Sequence, residues 1–223
     1  MKSQGTSFLG LLNLDQHRHE LKNAVYKTMG DIAITLYVHA GTLKNGITYL
    51  KVRSEYLEAW GLEKDDVLHE ALLNSYRILS PRIYDFKKMM YTPGYAGEDF
   101  LNMDPYFISD KKKKEGICLS VKGLSNGAVA VLYPGVIKKL VEFMDGGFYV
   151  VFSSVHEALI YSSKLCSLEE LENLLRTSNA RMTFQKEFLT DKVYYYCKEE
   201  DKFIMLRGSM KMLVTTIRMD EEN

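Results

Sequence analysis

The apolar residues of this chain come in strand-sized runs, the clearest being Phe148-Tyr-Val-Val-Phe152, and each run is broken by turn residues before it reaches membrane-spanning length. A bilayer-crossing helix needs about 18 to 20 consecutive apolar residues. No run approaches that, so the expectation is a soluble globular chain built around sheets. Its 223 residues are 46% apolar with only four prolines, which excludes disorder and collagen. At this length about 70% of the unfolded surface can be buried, enough for one large domain or two small ones without staples.

The local patterns alternate between the two periods. A helix is expected over residues 15–29 from the spacing of Leu14, Leu21, Val25 and Met29, with Gly30 as its stop. Ile32, Ile34, Leu36 and Val38 then alternate with Ala33, Thr35 and Tyr37, which reads as a strand, and Asn45-Gly46 supplies a hairpin turn to a second strand over 47–52. Ser54 opens a short helix stopped by Gly61. Asp65 and Asp66 open a longer one whose buried face is Leu68, Ala71, Leu72, Ser75 and Leu79.

Residues 91–105 mix glycine, proline and acids with no period, which predicts a loop or linker. Beyond it, strands are expected over 106–109, 116–121, 128–133, 148–152 and 158–161. Pro134 precedes a helix carrying Ile137, Leu140, Val141 and Met144, giving a strand-helix-strand unit. Ser167 and Glu170 form a capping box before a leucine-rich helix with Leu168, Leu171, Leu174 and Leu175. Residues 193–197 and 203–206 frame a closing hairpin. The sum is an α+β fold: mixed sheet with helices on one face, or two small subdomains. Its expected divisions are residues 1–90, a linker at 91–105, residues 106–207, and a flexible tail at 208–223.

Charge narrows the partners. Twenty-nine basic residues balance twenty-nine acidic ones, so extensive nucleic-acid binding, which needs a local cationic excess, is not expected. Cys118, Cys166 and Cys197 are odd in number and share no C-x-x-C spacing, which suggests neither a disulfide framework nor a zinc site and fits a reducing cytoplasm. The N-terminus shows no export signal, because His17, Arg18, His19 and Glu20 interrupt its apolar patch. His17 with His19, and His69 with Glu70, lack metal-binding spacing, and no phosphate loop occurs, so neither metal nor cofactor is expected.

One polar constellation has the residue types of a nucleophile, base and orienter: Ser153-Ser154-Val155-His156-Glu157. In a strand Ser154 and His156 share a face and Glu157 points opposite, so a relay requires a turn. The preferred reading is that these residues satisfy backbone groups at a strand bend. The alternative is a small hydrolase using Ser153 or Ser154, His156 and Glu157. The leading reading is a non-enzymatic interaction domain with a protein partner. Its surface is expected at the segment Gly116 to Ser125, the 91–105 loop and the basic run, with Tyr95, Phe100, Tyr106 and Phe107 as aromatic anchors beside Lys111, Lys112, Lys113 and Lys114. For these aromatics a local satellite core is the competing account.

Taken in order, NGAVAVLYPG, GGFYVVFSSVHEALI, SLEELENLLRTSN and FLTDKVYYY resemble a domain-of-unknown-function family of gut Firmicutes, as do MGDIAITLYV and LEAWGLEKDDVLHEALLNS earlier. The likeness spans residues 12–206. It implies a strand, a helix, a strand ending in Ser-Ser-x-His-Glu, a helix and an Asp-x-Val-Tyr strand, with no established activity. Members of the resembled family are frequent on mobile elements and carry an added N-terminal region of about a hundred residues and a charged C-terminal tail. This chain is expected to start beyond the first, nearly to lack the second, and to insert GICLSVKGLS before Asn126. The implied expectation is a shortened, phage-borne relative that inhibits a bacterial defence component such as a CRISPR nuclease.

Overall fold

In this computed structural model the described residues are 7–43, 46–104, 106, 108–181, 186–207 and 210–213. They form an α+β fold with two sheets. The first is built on β3 (Ile32–Leu43), which pairs with β1 (Ser7–Asn13) along one edge and with β2 (Tyr26–Met29) and β4 (Gly46–Lys51) end to end on the other. The second has eight strands in the order β12-β11-β10-β8-β9-β7-β5-β6. These are β5 (Pro81–Tyr84), β6 (Glu98–Asp99), β7 (Ile117–Val121), β8 (Phe148–Val151), β9 (Ala158–Ser162), β10 (Val193–Cys197), β11 (Lys202–Arg207) and β12 (Met210–Leu213).

Every pairing between these strands is antiparallel, so the sheets are not mixed, and the expected strand-helix-strand crossover does not form. The first partner of that crossover is instead a 3-10 helix, Gly127–Leu132, buried at all six positions. A fully buried run of small and β-branched residues carries no period, and here the tertiary setting chooses helix over strand. Gly127 is part of the reason. A Cβ there would collide with Ser120 Oγ and lie 2.6 Å from His156 O, so the chain presses its backbone against β7 and the loop after β8.

Register makes each face of the large sheet chemically distinct. Tyr194 lies opposite Val150, Val150 opposite Ile160, and Ile160 opposite Ile117, so these four side chains cross the sheet on one face. That face meets the main core, where Leu140 and Phe143 of α6 (Val136–Met144) join Leu9, Ile34 and Leu72 from the N-terminal half. Val151, Tyr161 and Val193 point the other way, onto Leu171 and Leu175 of α7 (Leu168–Arg181). Helices therefore cover both faces rather than one. Ser167 and Glu170 cap α7 reciprocally, with Ser167 N donating to Glu170 Oε2 at 3.0 Å and Glu170 N to Ser167 Oγ at 3.3 Å. Leu174, expected on the buried stripe, is exposed.

The N-terminal region departs most from expectation. Residues 15–29 hold only one helical turn, α1 (Arg18–Leu21), before the chain enters β2. Val25 and Met29 are buried, but a spacing of four satisfies a strand as well as a helix, and pairing with β3 decides between them. Gly30 is accordingly a hairpin residue, not a helix stop. The apolar patch at 8–12 became β1, an element the local pattern did not reveal.

α2 (Ser54–Trp60) ends at Gly61 in the left-handed conformation as expected, although Ser54 lies inside the helix and does not cap it. In α3 (Lys64–Ile78), Ser75 Oγ donates to Ala71 O at 2.7 Å and accepts from Leu9 N at 2.8 Å, which fixes the helix to β1. The strands on both sides of residues 91–105 lie in one sheet, and one core draws on residues from both halves of the chain. Within 208–223, expected as tail, Met210–Leu213 pairs with β11, and 214–223 lie outside the described residues. Lys44, Asn45 and Phe107 also lie outside them.

Candidate functional site

The loop after β8 gathers the serine, histidine and glutamate residues, and it binds them mostly to backbone. Ser154 Oγ accepts from His156 N at 3.0 Å, while Ser153 Oγ donates to Glu157 Oε1 at 2.6 Å. His156 Nδ1 accepts from Asn126 N at 3.1 Å, and Nε2 lies 3.4 Å from Glu187 Oε1. His156 O accepts from Ser120 Oγ at 2.6 Å, and Val155 exchanges bonds with Ala128 N and Glu187 O. The motif thus fastens the start of the 3-10 helix to β7 and to the turn at 186–187. A nucleophile needs its base on the hydroxyl; here Ser154 Oγ accepts a hydrogen bond from the His156 backbone amide, and the two ring nitrogens of His156 face Asn126 N and Glu187.

The residues expected at an interaction surface separate into buried and exposed, and within the 116–125 segment Ile117–Val121 is the fully buried β7. Phe100 belongs to the core: it is 0% exposed, edge-on to Phe143 at 5.2 Å, and Phe100 N donates to Pro81 O. A loop this short between two paired strands has to anchor itself, and Phe100 does so. Tyr106 is 95% exposed and not in a strand, contrary to the expected strand at 106–109. Tyr95 is half-buried, edge-on to Tyr84 at 5.9 Å, and its hydroxyl accepts from Asp85 N at 3.3 Å.

Lys111 to Lys114 lie on a short helix, α5 (Asp110–Glu115), capped by Ser109 Oγ. Three of these lysines meet acids: Lys111 faces Glu115 at 3.7 Å, Lys113 faces Asp110 at 3.3 Å, and Lys112 pairs with Asp85. The basic run is therefore partly neutralised. Lys112 and the amides of Lys88 and Lys87 hold the Asp85 carboxyl down at about 2, the lysine hydrogen bond being the largest cause.

Asp85 begins the element that sequence reading missed. It caps α4 (Phe86–Tyr91), accepting from Lys87 N at 2.9 Å and Lys88 N at 3.2 Å. None of α4's six residues is buried, yet four are large and apolar: Phe86, Met89, Met90 at 71% exposure and Tyr91 at 79%. Beside it an open groove of about 490 Å³ runs between Tyr84, Tyr95, Lys88 and Lys112, with Ile108 and Met103 on its far wall. Lys88 Nζ sits 5.7 Å over the Tyr95 ring and 2.6 Å from Glu98 Oε1. The sequence carried no signal for it, because the apolar residues of FKKMMY read the same whether they meet core or water.

Among the described residues no cluster of three His, Cys, Asp or Glu could hold a metal ion, and no helix is long and apolar enough to cross a membrane. No curated protein and no solved structure matches the chain. A family model does, over residues 5–198, which takes in α4, the groove and the whole 153–157 loop. The chain belongs to that family, the family of unknown function DUF5688.

Proposed function

We propose that this chain is a non-enzymatic protein-interaction domain whose contact surface is α4 with Tyr95, Tyr106 and the lysines beside them. The observation that carries the reading is that α4 exposes Phe86, Met89, Met90 and Tyr91 and buries nothing. Contiguous exposed apolar surface on a soluble protein marks a binding site more often than it marks chance. Methionine suits such a surface because its unbranched, polarisable side chain adapts to the partner's shape. Lys87 and Lys88 lie within α4, Lys88 already paired with Glu98, so the matching partner is a protein groove that is apolar at its centre.

The cytoplasm is the proposed compartment, supported by Cys118, Cys166 and Cys197, none of which is in a disulfide. A mobile-element origin in gut Firmicutes, with a defence component such as a CRISPR nuclease as partner, is the narrower version. It is supported by the sequence resemblance alone. The test is affinity capture from a gut Firmicute lysate with the native chain and with Met90→Asp/Tyr91→Asp. One specific protein retained by the native chain and lost by an equally stable variant is the expected result. Equal retention by both overturns the α4 surface, and recovery of no specific protein overturns the interaction reading.

A further inference from the structure

The first sheet has an open side of its own. Among the described residues β4 pairs with β3 alone, and the sheet closes only past its end, where Val25 N donates to Val52 O and Ala24 bridges Arg53. Alternate residues of such an edge direct N–H and C=O groups outward, a ready template for another strand. Two of the other edges are less suited. β6 has two residues, and β1 is held against α3 by the Leu9–Ser75 bond. Edges are normally guarded by charge or proline. β4 has no proline, and its one charge, Lys51, is already paired with Glu20.

Exposed apolar residues collect beside this edge. Tyr49, Leu50, Tyr56, Trp60 and Leu62 are all exposed, the single tryptophan of the chain at 65%. Tyr56 and Trp60 stack at 5.6 Å, and with Tyr49 and Leu50 they line an open groove of about 830 Å³.

We propose that the occupant is a second copy of this chain, joined by antiparallel pairing of β4 with β4 about a twofold axis. Three features favour a copy over an unlike partner. An axis passing through Tyr49 sets Tyr49 opposite Tyr49 of the other copy and Lys51 opposite Ile47, so no like charges meet across the seam. A net charge of zero removes the long-range repulsion that keeps most identical chains apart. Strand pairing alone covers little area, and the exposed rings of Tyr49, Tyr56 and Trp60 from both copies add to it toward the roughly 1,000 Å² that a specific interface requires.

Analytical ultracentrifugation of the full chain over roughly 1 to 100 μM tests this, because dimerisation must follow mass action. The expected result is a dimer for the native chain and a monomer for Leu50→Lys and for Trp60→Lys. Both positions are solvent-facing, so the circular dichroism spectrum and the Tm at the lowest concentration stay unchanged. A native chain that is monomeric throughout overturns the proposal, as does a dimer that survives both substitutions. The α4 surface belongs to the other sheet. Met90→Asp/Tyr91→Asp therefore leaves the dimer intact, and failure of either proposal is read separately.

Discussion

The Tyr194 hydroxyl lies 2.7 Å from Asp31 Oδ1, joining the large sheet to the turn between β2 and β3 across 163 residues of sequence. The same oxygen accepts from Asp31 N at 3.2 Å and sits 2.9 Å from Met29 O. Burial pushes the phenol's pKa far up, with the Asp31 charge adding to it, so the proton stays on Tyr194. Thr190 Oγ1 and Lys192 Nζ supply the remaining partners of Asp31, at 2.9 Å and 3.0 Å.

Tyr194→Phe removes that donor from a shielded carboxylate and is expected to cost about 1–3 kcal/mol, read from urea unfolding. Gly30→Ala should cost more than the usual Gly→Ala exchange. Gly30 has φ +59°, as the first residue of a two-residue hairpin turn requires, and its Cβ would lie 2.6 Å from the Tyr194 oxygen. A change below 0.5 kcal/mol in either variant would show that the seam is not held here.

Phe100 and Met90 should part company under substitution. Phe100→Ala empties a place against Phe143 in the core and is expected to destabilise by about 3–5 kcal/mol. Met90→Ala, on exposed α4, should fall within about 0.5 kcal/mol of the native chain. Thermal unfolding of the two variants side by side decides it, and equal losses would place α4 in the core.

Asp85 has a folded pKa of about 2, below the carboxylate's ordinary 3.8. A depressed carboxylate stabilises the fold fully above its unfolded pKa and loses that contribution as pH falls through the folded value. The loss therefore belongs to the window from about 4 down to about 2. Lys112→Met should raise the Asp85 pKa and flatten this limb, measured as Tm against pH or by carboxyl NMR titration. An unshifted Asp85 titration would mean that the α4 amides alone hold it down.

Burial pushes the Cys118 thiol up to about 12, whereas Cys166 is only half-buried. Because the thiolate is the reactive form, iodoacetamide at neutral pH should modify Cys166 first and Cys118 only on unfolding. Mass spectrometry of timed digests reads the order, and early modification of Cys118 would contradict its packing in β7.

A serine-reactive fluorophosphonate should leave Ser153 and Ser154 unmodified, since the ring nitrogens of His156, the expected base, are engaged by Asn126 N and Glu187. Labelling that His156→Ala abolishes would favour the hydrolase reading over the interaction domain.

What the sequence determined was local. The Ser167–Glu170 capping box, the α2 stop at Gly61, the buried face of α3 and the hairpin of β10 and β11 each rest on residues a few positions apart, where short-range hydrogen bonds and side-chain period leave one answer. Tertiary structure decided the rest. β1 had to find β3 some twenty-five residues away, the 128–133 run became helical because Gly127 lets it press on β7, and Val25 and Met29 fit either period until β3 paired with them. The two candidate surfaces were hidden for a related reason. An apolar side chain reads the same in sequence whether it faces core or water, and only the packing of everything else showed that Phe100 has a place inside and that Met90, Tyr91 and Trp60 do not.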